Sequence, residues 1–163
     1  MSRQISELEA VLRQLIAEHT RLLSQATRYG AAVQAFDLAA MDDAGREQEA
    51  SRLRITMLDQ RRRSVVQQIG KAMNVPGELT VGKIAALSPQ EGALLLELRK
   101  QLKEVVEAVA ATNKISGKVA GAVLGHLNTV VRLLAGAVER AGLYTKNGVP
   151  LVSGRIGGME AVG

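Results

Sequence analysis

Apolar side chains open the chain at regular steps. Ile5, Leu8, Leu12, Leu15, His19, Leu22, Ala26, Tyr29, Val33 and Phe36 follow one another at alternating intervals of three and four, a period that keeps them on one side of an α-helix. The seam predicts a helix over 2–36, roughly 50 Å long at 1.5 Å per residue. A helix of that length needs a partner to cover its stripe. Asp42 and Asp43 suit a helix N-terminus. The segment after them, to about 74, carries the sparser stripe Ile55, Leu58, Val65, Ile69, Ala72 and Met73, shared with Ser51 and Arg62. Pro76-Gly77 ends it. The first two helices, 2–36 and 42–74, are therefore expected to form a long antiparallel hairpin that turns near 37–43.

Residues 80–87 fit a short linker helix. Ser88-Pro89-Gln90-Glu91 then combines a Ser cap, Pro at the first helical position and Glu at the third, the signature of a capping box. The helix it starts, over 89–141, has the seam Leu95, Leu98, Leu102, Val105, Val109, Thr112, Ser116, Val119, Val123, His126, Val130, Leu133 and Ala137. Thr112 and Ser116 interrupt the seam where Asn113 and Gly117 lower helix propensity, a place for a bend or a division. After Gly142 the chain is rich in glycine and loses its period, which predicts a flexible C-terminal tail over 143–163. The expected fold is all-α: a helical hairpin plus a long third helix in a coiled-coil-like three-helix bundle over 1–142, with the linker helix and the tail.

Composition narrows the chemistry. Aromatic residues are 2% of 163 and there is no Cys, so the core is aliphatic and neither a disulfide nor a thiolate metal site can form. His19 and His126 sit on helical seams without ligand spacing, and read as polar interruptions that fix register. No catalytic residue, metal or cofactor is expected. Unbroken apolar runs last only a few residues, so no membrane span is expected. The start, with Glu7 and Glu9 in amphipathic sequence, does not resemble a signal peptide, and the protein is read as cytoplasmic.

The net charge of +5 would permit an acidic partner. Yet Arg61-Arg62-Arg63 fan over roughly 200° of a helix and no aromatic residues are interleaved for base stacking. A solvated helix face and no nucleic-acid partner are expected. Gly117, Gly121 and Gly125 recur every fourth residue, which serves either close packing inside the bundle or a groove for a partner helix. The run Val130 to Val138 is apolar on more faces than one helix contact needs. Either it is an exposed partner site, or the helix bends near Gly117 and buries it.

The order of these parts resembles the flagellar export chaperones of the FlgN family. The resemblance rests on the leucine-seamed first helix, an acidic connection (Asp37, Asp42, Asp43), an Arg-bearing second helix (Arg61 to Arg63) and a linker helix. A long third helix with Asn113 follows, closed by Leu143-Tyr144-Thr145-Lys146-Asn147-Gly148. It covers about 5–148. Two features depart from the family pattern: Ser116 stands where a second Asn is common, and the tail is longer.

The resemblance implies a bacterial cytoplasmic chaperone. Such a protein binds the C-terminal helical region of the hook-filament junction proteins, keeps them unassembled and delivers them to the export gate. It also implies cargo binding by the end of the third helix and the tail, which on the helix of this chain selects Val130, Leu133, Leu134, Ala137 and Val138, and export-gate docking through Tyr144. A monomer or small homo-oligomer is expected. The alternative is a structural coiled coil that dimerises through the first-helix seam.

Overall fold

The computed structural model describes residues 2–75 and 79–140, and for residues 2, 89, 90 and 138–140 it describes the backbone alone. Four helices follow in order: α1 (Ser2–Ala35), α2 (Leu38–Ala72), α3 (Val81–Leu87) and α4 (Pro89–Arg140), with no strand among the described residues. The fold is all-α. Contacts group the chain into two compact units, Met1–Ala120 and Gly121–Gly163. The tail over 143–163, with Tyr144, lies outside the described residues.

The hairpin turns in two residues. Phe36 takes a left-handed backbone, φ 54°, its N–H donates to Val33 O and the Asp37 N–H donates to Ala32 O at 3.0 Å. These bonds satisfy the last carbonyls of α1 in a Schellman motif. Asp37 then caps α2, its carboxylate accepting from Ala40 N at 3.0 Å. The sequence reading placed that start at Asp42 and Asp43, and it is corrected here: with Asp37 as cap, Leu38-Ala39-Ala40-Met41 are good helix formers and fill the first turn. Asp42 lies inside α2, paired with Arg46 at 2.7 Å. Phe36 is likewise not part of the α1 stripe, since it sits past the helix end and is 55% exposed. A second Schellman motif ends α2 at Asn74, φ 51°, with Val75 N–H donating to Gly70 O at 3.1 Å.

Ion pairs fix the hairpin register. Glu7 meets Arg61 at 2.9 Å, Glu18 meets Arg54 at 3.0 Å and Arg28 meets Glu47 at 2.8 Å. Numbers rise along α1 as they fall along α2, so the two run antiparallel. These exposed pairs add little stability, at most about 1 kcal/mol each. They set alignment more than they supply energy.

Burial holds the first unit together. Ile5, Leu8 and Leu12 of α1, Val65, Val66 and Ile69 of α2, Ile84 and Ala85 of α3, and Leu95 and Leu98 of α4 form one apolar cluster, joined by Leu79 and Val81. Each of the larger side chains contributes about 1.5–3 kcal/mol on burial. α3 is capped by Thr80, whose hydroxyl accepts from Lys83 N, and it plugs this end of the bundle. Ser116 of α4 faces Gly30 of α1. With Leu95 and Leu98 beside Ile5 and Leu8, that contact makes α4 parallel to α1.

The two ends of the bundle differ in chemistry. Toward the hairpin turn the buried positions include Gln25, Gln48, Ser51 and Ser116 beside Ala26, Ala32 and Ala44. Small and polar groups replace the large aliphatics there, so less apolar area is removed from water.

The α1 seam is consumed inside the chain: Ile5, Leu8, Leu12, Leu15, Leu22, Ala26 and Val33 are all buried. A dimer through that seam would require opening the bundle, which corrects the structural coiled-coil alternative. α4 is helical without a break through Asn113 and Gly117, and the boundary between the two units falls just beyond them, between Ala120 and Gly121.

Candidate functional site

The site is built from the pitch of one helix. Eighteen residues make five whole turns at 3.6 per turn, and eighteen residues separate Val109 from Leu127 and Ser116 from Leu134. The stripe that Val109 and Ser116 bury in the first unit therefore reappears on α4 as Leu127 and Leu134. In the second unit that stripe is open: Leu124 is 67% exposed, Leu127 44%, Val131 62% and Leu134 62%.

The face is broad. At 100° per residue, Leu133, Ala137, Val130, Val123, Leu134, Leu127, Val131 and Leu124 follow one another around roughly half the circumference of the helix, with His126 the one polar side chain among them. The other half carries Gly121, Gly125, Asn128, Thr129 and Arg132. Exposed aliphatic surface of this extent, rimmed by small and polar residues, is the pattern of a surface that contacts another molecule.

Of the residues selected from the sequence, Val130 (38%), Leu133 (64%) and Leu134 (62%) are exposed on this face, and Ala137 is exposed beside them. Val138 lies in α4 with its side chain outside the described residues, as does the whole of Tyr144. Leu124, Leu127 and Val131 complete the face and were not selected. The signal for Leu127 was its eighteen-residue spacing from Val109, and Leu124 and Val131 flank it at helical steps of three and four.

Other candidates can be weighed. The arginine concentration is tied up in ion pairs: Arg61 with Glu7, Arg62 and Arg63 with Asp59 at 2.8 Å each, and Arg54 with Glu18. Burial alone would raise the Asp59 carboxyl, but hydrogen bonds and charge from Arg62 and Arg63 outweigh it and hold the group below its ordinary value. Four arginines share three carboxylates here, so most of this positive charge is balanced locally, which weakens a phosphate-binding reading. Among the described residues no group of three or more His, Asp or Glu side chains is placed to hold a metal ion. A β-carbon added at Gly117, Gly121 or Gly125 meets nothing within 4 Å, so those glycines serve no close packing among the described residues. A groove of about 350 Å³ lies on the hairpin, lined by Gln14, Ala17, Glu18, Arg54, Met57 and Leu58.

By length and composition the Glu91–Ala137 stretch of α4 would be long and apolar enough to cross a membrane, with a mean hydropathy of 1.4 in its most apolar window. The short unbroken runs had pointed the other way. Lys114, Lys118, Asn128 and Arg132 interrupt the stretch, each costly in hydrocarbon. Leu95, Leu98, Val109 and Ser116 of the same helix are buried against protein. The apolar residues form a face and not a sleeve, which is the pattern of a helix that meets other helices.

The fold and this face define an all-helical bundle protein that presents an exposed apolar helix surface among the described residues. The family model described as FlgN protein matches residues 1–151, and the chain belongs to the FlgN family. That family consists of flagellar export chaperones and is not a family of enzymes. No curated protein and no solved structure matches the chain.

Proposed function

We propose that this protein is a bacterial cytoplasmic chaperone that binds the C-terminal helical region of hook-filament junction proteins, keeps them unassembled and delivers them to the flagellar export gate. Family membership supports the chaperone role. The observation that carries the binding mode is the exposed Leu/Val face of α4, where Val130, Leu133, Leu134 and Ala137 take the cargo, with Val138 as the further cargo-binding position that the family resemblance selects. A helix in water gains about 25 cal/mol for each Å² of apolar surface it covers, and part of that gain offsets the ordering of the cargo segment. Affinity stays moderate, which suits cargo that must be handed over. Tyr144 docks the loaded chaperone to the export gate in this reading.

Isothermal titration with the C-terminal 40 or so residues of the junction proteins from the same genome tests the proposal. Micromolar or tighter binding is expected, lost in Leu134→Asp and kept in Tyr144→Ala, which loses gate docking alone. Absence of binding to every junction protein would overturn it.

A further inference from the structure

We infer that residues Gly121 to Ala137 act as one helix of a bundle whose other two helices are supplied together by the partner, so that the cargo presents a helical pair and not a single helix. The inference rests on the chaperone reading for the identity of the partner and on helix geometry for its shape. A single helix packed against another covers a narrow seam of a and d positions. The Leu/Val face on α4 is about twice as wide: Leu133 and Leu124 mark its two edges and stand on opposite sides of the helix at 100° per residue, with Val130, Leu127, Leu134 and Val131 between them. One partner helix seated on Leu127 and Leu134 would leave at least one edge in water.

The same helix shows how the problem is solved in the first unit. There the α4 stripe through Leu95 and Leu98 is buried in a cluster to which α1 gives Ile5, Leu8 and Leu12, and α2 gives Val65 and Ile69. Two antiparallel helices cover one helix. The exposed face of Gly121 to Ala137 has the width that such a pair of helices covers, so a partner with the same arrangement fits it. A second copy of the chain pairing through this face would contribute one helix only and leave half of each face exposed. The back of the helix, with Gly121, Gly125 and Arg132, stays toward water.

The test uses the full chain and a synthetic antiparallel helical hairpin with leucine and valine seams, alongside each of its helices alone. Calorimetry is expected to show the hairpin binding at least tenfold tighter than either single helix. Leu124→Asp and Leu133→Asp are each expected to weaken it at least tenfold, with the helical circular dichroism unchanged because both positions are exposed. Equal binding of hairpin and single helices, loss in only one edge variant, or no hairpin binding would overturn the inference. So would a trimer of the chain alone, by sedimentation equilibrium, that either edge variant dissolves, or binding to anionic vesicles in place of the hairpin. Junction-protein segments titrated in parallel separate the two ideas. Hairpin binding without cargo binding sinks the chaperone reading alone, and cargo binding that ignores one edge sinks the two-helix inference alone.

Discussion

Ser116 of α4 stands so close to Gly30 of α1 that a methyl group added at Gly30 would meet the Ser116 hydroxyl oxygen at 2.8 Å. Glycine at this point lets α4 approach α1 where the bundle has few large apolar residues to hold it. Gly30→Leu should therefore force the helices apart and cost about 2 kcal/mol or more, the scale of overpacking a tight contact. Gly30→Ala should stay within about 1 kcal/mol of the parent, because the clash is with a hydroxyl that can rotate and alanine favours the helix. Combined with Ser116→Ala, it should gain stability. Urea unfolding midpoints of the three variants check this.

Phe36 closes α1 in a left-handed conformation that a β-carbon disfavours by about 1–2 kcal/mol, and its ring is more than half exposed. Phe36→Gly is expected to raise the thermal midpoint, by about 1 kcal/mol in stability. A lower midpoint would mean that the exposed ring contributes packing that outweighs the strain.

His19 is partly buried and its Nδ1 has no hydrogen-bond partner. Burial lowers its pKa from the ordinary 6.5, so the unfolded chain takes up a proton before the folded one does. The stability this neutral ring allows is fully present above about 6.5 and is lost as pH falls toward the folded value. Denaturant midpoints at pH 7.5 and 5.5 should show a drop in the parent that His19→Leu removes. An equal drop in both would assign the pH dependence to other groups.

Gly121 and Gly125 sit in the exposed part of α4 with open space where a β-carbon would be. Alanine at each should favour the helix by about 1 kcal/mol and pre-form the binding face. Cargo titrations of the double variant are expected to give tighter binding and slower release, whereas weaker binding would place the glycines in the contact.

Much of this fold is legible in the sequence. The α1 seam from Ile5 to Val33 is a plain three-four pattern, and all of it is buried except His19 and Tyr29, which are half-buried. The start of α2 was misread because two adjacent carboxylates, Asp42 and Asp43, looked like a stronger cap than the single Asp37 that makes the bond. Burial of Gln25 and Gln48 leaves no trace in a hydrophobic period, because tertiary packing selects it, whereas Ser51 already lies on the stripe of the second helix. At the candidate site, strict heptad counting from Leu95 reaches Val123, Val130 and Ala137. On a straight helix that count drifts about 20° per heptad, so the six heptads from Leu95 to Ala137 carry it toward the Leu133 edge of the face and past Leu127, Val131 and Leu124 at the other side.

Amide hydrogen exchange of the full chain, with and without the C-terminal segment of a junction protein, tests the central claim most directly. Residues 121–137 should exchange at least tenfold more slowly in the complex, with Ile5 to Val33 and Ala44 to Ile69 unchanged. Protection confined to the hairpin groove around Ala17, Met57 and Leu58, with 121–137 unaffected, would contradict the account.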